Sequence, residues 1–360
     1  MSLSCGMIGV TASGKTTIYN AITASKAAIY DGAEMHFAVV NVPDPRLQKL
    51  AEMYRPQKLV PASLKVVDIP AIKTSGDKSG RGSRLLAHIK DVDALLHVVR
   101  CFSLTGDVAS DDTVNPRRDV ETMDIEMMLA DAQTLQNKVD RLSKKLKSGD
   151  KEAVIQAAEC EKIKKALEEG VPARRQALNE HEMANVYECN LVSLKPVLYV
   201  ANLKTMADIE SAPVKALQEI AKADGSEVIA ICGRDEAEIS QLDPADRIEF
   251  MKELGLKESS MARLIMAAYR KLGLINFFTV GPDEVRAWTC RKGDKAPTAA
   301  GKIHGDLEKG FIRMEVMTYD DLISLGSEQA VLRAGKQRVE GKTYEVQEGD
   351  IVVVRFNASK

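Results

Sequence analysis

No stretch of this chain approaches the roughly 18 consecutive apolar residues of a membrane-crossing helix, so a transmembrane reading is excluded. The amino terminus has no basic segment leading into an apolar run of signal-peptide length, which argues against a secretory leader. The six cysteines (Cys5, Cys101, Cys160, Cys189, Cys232 and Cys290) stand far apart with no C-x-x-C pair. That spacing argues against a disulfide framework and reads as reduced, mostly buried small residues. The expected compartment is the cytoplasm. A net charge of −2 excludes an overall attraction for nucleic acid or anionic membrane, so any such surface must be local. Internal repeats, low-complexity segments and a Ser/His/Asp arrangement are all lacking.

What the chain does have is core material. Apolar residues make up 45% of its 360 residues against 28% charged, an ordinary globular balance at a length that suggests two or three domains. Apolar runs at Cys5–Val10, Leu64–Asp68, Ala94–Val99, Pro196–Ala201 and Glu227–Ile231 alternate with helical patterns. Runs this apolar, separated by crossover lengths, predict an α/β fold with a mostly parallel sheet covered by helices on both faces.

Between the two sets of runs the texture changes. Ile125, Met128, Ala132, Leu135, Val139, Leu142 and Leu146 recur every three or four residues, Ser148-Gly149-Asp150 interrupts, and Ala153, Ala157, Cys160, Ile163 and Leu167 resume. This predicts an antiparallel helical hairpin with a coiled-coil seam. From Lys138 to Arg175 it carries eleven Lys/Arg and seven Asp/Glu, which fits either a solvated arm or a basic contact surface. After Asp243 a helical region precedes a tail with β-like runs at Phe277–Val280, Val285–Cys290, Phe311–Met317, Thr343–Val346 and Ile351–Val354, a small α+β domain.

Gly9-Val10-Thr11-Ala12-Ser13-Gly14-Lys15-Thr16 satisfies G-x-x-x-x-G-K-[ST], with an apolar run before it and a helix-compatible segment after it. Glycines let the backbone wrap a phosphate and aim N–H groups inward, and the following helix points its positive end at the same anion. Lys15 is placed on the β- and γ-phosphates and the Thr16 hydroxyl on Mg2+. Asp68 ends an apolar run and supplies the acid that such a fold uses to hold Mg2+ through water. The expected phosphate contacts are Gly9, Ala12, Ser13, Gly14, Lys15, Thr16 and Thr17. Asn202, Leu203, Cys232 and Gly233 are the expected lining of the base pocket.

At Asp68-Ile69-Pro70 and His97-Val98-Val99-Arg100-Cys101-Phe102 the chain resembles the YchF-like proteins, an Obg-related branch of the P-loop NTPases. The likeness extends through Val42-Pro43-Asp44-Pro45, Glu284-Val285-Arg286-Ala287-Trp288-Thr289 and Ala300-Gly301-Lys302-Ile303-His304. The resemblance implies a G domain over 1–120 and 190–275, a helical arm over 121–189 and a TGS domain over 276–360. It also implies an ATPase or GTPase that associates with ribosomes, most members favouring ATP.

The chain departs from that pattern at four places. Ala71 stands where the family has the glycine of Asp-x-x-Gly, and Gly32-Ala33-Glu34 occupy the stretch that holds a switch threonine. No histidine lies between Ser103 and Asn115, where the family carries its proposed catalytic one and Ala109 falls here. His97 is enclosed by an apolar run and reads as a packed strand histidine. Finally, Asn202-Leu203-Lys204-Thr205 matches neither N-K-x-D nor N-x-x-E, and Thr205 offers only a hydroxyl to guanine's N1 and N2 donors. Strong guanine preference is not expected, and ATP is weakly favoured over GTP. Asn202 remains able to meet a purine edge.

Two main functions follow: a Mg2+-dependent nucleotide hydrolase acting as a ribosome-associated switch, or a nucleotide binder with impaired turnover that recognises ribosome or RNA. A small-molecule phosphotransferase would need an acceptor pocket and a basic lid, which the sequence does not indicate. From Val280 to Lys360 there are thirteen Lys/Arg and thirteen Asp/Glu, so an RNA-contacting patch would require Arg291, Lys292, Lys302, Lys309 and Arg313 to share one face. Trp288, the single tryptophan, is expected in the core rather than stacked on a base.

Overall fold

The computed structural model describes residues 3–23, 36–70, 81–103, 114–253 and 258–357. Ala71, Gly32-Ala33-Glu34 and Ala109 lie outside the described residues. In chain order the elements begin with β1 (Ser4–Ile8), α1 (Lys15–Thr23), β2 (His36–Asn41), α2 (Pro45–Tyr54), β3 (Lys58–Val60) and β4 (Ser63–Asp68). They continue with α3 (Arg81–Lys90), β5 (Ala94–Arg100), α4 (Pro116–Lys147), α5 (Lys151–Glu168), α6 (Glu180–Tyr187) and β6 (Val197–Asn202). Next come α7 (Ala212–Ala223), β7 (Val228–Ile231), α8 (Gly233–Ile239), α9 (Pro244–Glu253) and α10 (Ser260–Lys271). The last stretch is β8 (Leu274–Thr279), β9 (Glu284–Arg291), α11 (Ala296–Ile303), α12 (Gly305–Lys309), β10 (Phe311–Thr318), α13 (Tyr319–Leu325), α14 (Glu328–Arg333), β11 (Arg338–Glu340) and β12 (Asp350–Phe356).

Two compact units divide the chain: Met1–Ala38 with Lys65–Leu264, and Val39–Leu64 with Ile265–Lys360. The first is built on a six-stranded sheet in the order β2-β4-β1-β5-β6-β7. The pairs β1/β4, β1/β5, β5/β6 and β6/β7 are all parallel. Every residue of β1, β5 and β6 is buried. Because successive strand side chains point to opposite faces, such runs form only where both faces are covered. Val120, Met123 and Met127 of α4 and Val214 and Leu217 of α7 pack on Leu95, Val99 and Tyr199 to make the larger core. β2 is a strand that the apolar runs did not include; Phe37 and Val39 are 62% and 65% exposed, while Val40 is buried.

α4 and α5 form the expected hairpin. Gly149 makes the turn at φ 75°, a left-handed angle that glycine adopts without a Cβ penalty. Asp150 starts α5 by accepting from the amides of Glu152 and Ala153 at 3.0 and 3.1 Å. Leu135, Cys160, Ile163 and Leu167 fill the seam, joined by Val186 of α6. Ile125, expected in that seam, is 51% exposed, because the root of α4 turns Val120, Met123 and Met127 toward the sheet instead.

The second unit carries a mixed sheet in the order β11-β10-β12-β8-β9-β3. Residues 39–64, expected within the nucleotide domain, group here because β3 pairs with β9 in parallel and Asp44 bonds Asn276 at 2.9 Å. Thr343–Val346 is not a strand; Glu345 makes one isolated bridge to Lys295. Its apolar residues Tyr344 and Val346 are explained by packing into the core beneath α11, and the sheet's third antiparallel strand is β11 instead.

Candidate nucleotide site

The parallel registers bring several strand ends to one edge: Met7 pairs with Asp68, Ile8 with His97, and Asn202 with both Arg100 and Ile231. The carboxyl edge of such a sheet is where ligands bind in open α/β folds. Between β1 and α1 the chain makes a tight loop. Ser13 N donates to Val10 O at 3.2 Å, and Ile18 N donates to Gly14 O at 3.1 Å.

Three loop positions are set by backbone sterics. Gly14 has φ 84°, and a Cβ there would run into the carboxamide of Asn202. A Cβ on Gly9 would lie 2.6 Å from Val98 O and 2.7 Å from Ser13 Oγ. Ala12 holds φ 63°, a left-handed angle that costs an L-residue on the order of 1–2 kcal/mol. Alternating hands along Ala12–Gly14 turn successive amides toward one concavity, and the first-turn amides of α1 lack intrahelical acceptors. Thr16 and Thr17 in that turn are half-buried, and Ser13 is buried beneath the loop.

Lys15 is 6% exposed and Asp68 9%, and the lysine ammonium donates directly to the Asp68 carboxylate. Thr16 and Asp68 together offer a hydroxyl and a carboxylate, hard oxygens of the kind Mg2+ prefers, and Mg2+ keeps several waters instead of demanding a full protein cage. The donor set fits that ion. Among the described residues no cluster of three or more His, Cys, Asp or Glu is suited to a metal.

Asn202, expected at a purine edge, makes two hydrogen bonds within the protein. Nδ2 donates to Ser13 O at 2.9 Å, and Oδ1 accepts from Gly233 N at 3.1 Å, with the residue 4% exposed. It is a strut joining the phosphate loop, β6 and the start of α8. Gly233 packs closely there: a Cβ would sit 3.1 Å from both Asn202 Oδ1 and Ile18 Cγ1, so these neighbours would have to give by a few tenths of an ångström. Leu203 is buried and donates its amide to Ile231 O at 2.7 Å. Cys232 is buried, burial pushes its thiol up to about 11, and Sγ bonds Lys204 O. Lys204 and Thr205 are exposed, but Thr205 Oγ1 bonds Asp208 Oδ2 at 3.1 Å and caps the 3-10 turn Met206–Glu210.

His97 is packed, as its apolar surroundings predicted. It is 1% exposed, lies 5.7 Å from the Tyr199 ring, and burial, then the nearby Arg174 charge, pushes its pKa down to about 3.

Sequence reasoning counted Arg174 and Arg175 into a basic surface, whereas the structure spends both internally. Arg174 Nη2 bonds both oxygens of Asp124 on α4, at 2.8 and 2.6 Å, and Nε bonds Asp224 at 2.9 Å. Arg175 and the Tyr199 hydroxyl close the cluster on Asp224. By contrast Arg141, Lys144, Lys145, Lys147 and Lys151 around the hairpin turn are all exposed. In the second unit Arg291, Lys292, Lys302, Lys309 and Arg313 are exposed but do not form one patch. Arg313 lies on the side of β10 away from Met314 and Val316, which face the α11 layer bearing Lys302. Trp288 packs against that core, donates Nε1 to Thr279 Oγ1 at 2.9 Å and carries Arg286 over its ring at 3.9 Å.

A strand-loop-helix cradle ending in a buried lysine, on the carboxyl edge of a parallel sheet, defines the class: the fold is that of a P-loop GTPase. Residues 4–202 match the family model MMR_HSR1, described as a 50S ribosome-binding GTPase. Residues 274–357 match the model YchF-GTPase_C, described as a protein of unknown function (DUF933). The chain is 41% identical to the ribosome-binding ATPase YchF of Bacillus subtilis (strain 168), over 99% of this chain and 100% of that protein. It is 37% identical to Obg-like ATPase 1 of Oryza sativa subsp. japonica, over 99% of this chain and 93% of that one. The solved structure of the Schizosaccharomyces pombe YchF GTPase matches with a TM-score of 0.84 at 32% identity, covering 98% of each chain. The chain belongs to the YchF family.

Proposed function

We propose that this protein binds a purine nucleoside triphosphate with Mg2+ at Gly9–Thr16, hydrolyses it, and couples that cycle to the ribosome. The observation that carries the reading is the loop itself: left-handed Ala12 and Gly14 followed by buried Lys15 at the first turn of α1. Lys15 supplies the charge for the β- and γ-phosphates, and Thr16 with Asp68 would hold Mg2+. When bound, that ion neutralises charge on the phosphate oxygens. Relatives described as ribosome-binding ATPases support the same reading.

ATP is weakly favoured over GTP. The Thr205 hydroxyl is engaged by Asp208, so this position offers guanine's N1 and N2 donors no carboxylate. Leaving those donors poorly paired forfeits on the order of 1–3 kcal/mol. The exposed basic turn of the helical arm, Arg141 to Lys151, is the surface proposed for ribosomal RNA phosphates. The region over 276–360 is read as a TGS domain and a second ribosomal contact, made without a single basic patch.

A second reading, a nucleotide binder with impaired turnover, is favoured by His97. That histidine lies in the core with its pKa near 3, so it cannot replace the one missing between Ser103 and Asn115. Phosphate release measured with and without ribosomes separates the two. Turnover that Lys15→Ala abolishes establishes the hydrolase; tight binding of Mg2+–ATP with no turnover on ribosomes establishes the binder.

A further inference from the structure

Lys15 and Asp68 are the two groups that the proposed function assigns to phosphate and to Mg2+, and in this structure each is the other's partner. Both are nine-tenths buried. Breaking the pair from either side therefore leaves the other charge buried without a counter-charge, which is costly. Asp68 is held in place by β4, whose register sets it beside Met7, and Lys15 is the first residue of α1. The contact thus joins the helix that follows the loop to the strand beside β1.

We infer that the Lys15–Asp68 ion pair is a latch that polyphosphate and a divalent cation release only together. Polyphosphate alone must draw Lys15 away and leave Asp68 as a buried carboxylate without a counter-charge. A divalent cation alone must displace the ammonium from Asp68 and leave Lys15 facing the amide-lined, electropositive loop. When both arrive, one buried pair becomes two: ammonium on phosphate, and carboxylate on the hydrated cation. The two ligands are therefore positively coupled through this chain's own charges, beyond their affinity for each other in solution. That coupling is reciprocal. The latch keeps the loop from holding metal-free phosphates, an autoinhibitory contact built into the empty cradle. The inference rests on the nucleotide site proposed above.

Its signature is a gain of binding on removing a cation ligand. Asp68→Asn keeps the shape and removes the charge, so Lys15 is released. The test is titration of the full chain with ATP in excess EDTA and again in excess Mg2+. Asp68→Ala is a second variant without a competing amide, and thermal melts check that each is folded. The variants should bind metal-free ATP at least about fivefold tighter than the wild type, the low end of ordinary coupling factors. The ratio of affinities with and without Mg2+ should shrink by the same factor or more. If the wild type binds Mg2+–ATP and neither variant gains metal-free affinity, the latch is wrong and the site stands. If the wild type binds ATP under neither condition, the site reading itself has failed and the latch falls with it.

Discussion

The side chain of Asn202 donates to the carbonyl of Ser13 at 2.9 Å, tying the end of β6 to the phosphate loop 189 residues earlier in the chain. With its other end it accepts from Gly233. The loop's left-handed residues are thereby braced from below before any ligand arrives, which reduces the ordering that binding must impose. Asn202→Ala leaves a buried carbonyl and a buried amide unpaired. It should lower unfolding free energy by about 1–3 kcal/mol in urea titrations. It should also weaken nucleotide binding by roughly tenfold, the equivalent of ~1.4 kcal/mol. Unchanged affinity would mean the strut does not organise the loop.

Arg174 is the keystone at the root of the helical arm, bonding Asp124 of α4 and Asp224 after α7. Its side chain is 7% exposed, so removing it strands the Asp124 carboxylate away from water, while Asp224 keeps Arg175 and the Tyr199 hydroxyl. Arg174→Ala should cost about 3–5 kcal/mol, the range for breaking a buried pair from one side. Arg175→Ala, whose side chain is 29% exposed, should cost distinctly less in the same denaturant series.

His97 gives the stability a pH dependence of known sign. Its folded pKa of about 3 lies below the ordinary 6.5, so the unfolded chain takes up a proton that the native state refuses. Stability from this residue is present above pH 6.5 and is lost as pH falls toward 3. Between pH 7 and pH 5 the loss amounts to about 2 kcal/mol. His97→Phe should flatten that part of the profile, as read from urea midpoints at the two pH values. A variant that keeps the full slope would assign it to other groups.

The arm's turn provides a prediction in the opposite register, function without stability. Lys144, Lys145 and Lys147 are exposed in the last turn of α4, so changing all three to glutamine removes their charge at a cost confined to the helix end and should scarcely move the melting temperature. Ribosome co-sedimentation should weaken, and the wild type's association should itself decline steeply with salt. Nucleotide affinity should be unaffected. Equal ribosome binding by the triple variant would remove the arm's turn from the contact.

How legible this protein was from sequence depended on how local the signal is. The glycine spacing of Gly9–Thr16 and the apolar runs of β1, β5 and β6 are local, and the fold class follows from them. Asn202 was visible as a residue type, but its bracing bonds were not, because its partners Ser13 and Gly233 are distant in sequence and meet only when β6 docks. Arg174 and Arg175 looked like surface charge since nothing nearby in the chain announces Asp124 or Asp224. Residues 39–64 carried no sign of joining β9, as that pairing spans more than 200 positions and a three-residue strand leaves little pattern. Ile125 kept the seam's period and was misplaced because the same helix turns a second stripe to the sheet at its root.

The central claim is that backbone amides of the loop and Lys15 form a polyphosphate cradle. Calorimetric titration of metal-replete protein with ATP and with GTP tests it most directly. The account predicts saturable binding of both, ATP somewhat tighter, and loss of binding in Lys15→Ala. Folded wild-type protein that binds neither nucleotide in the presence of Mg2+ would contradict it.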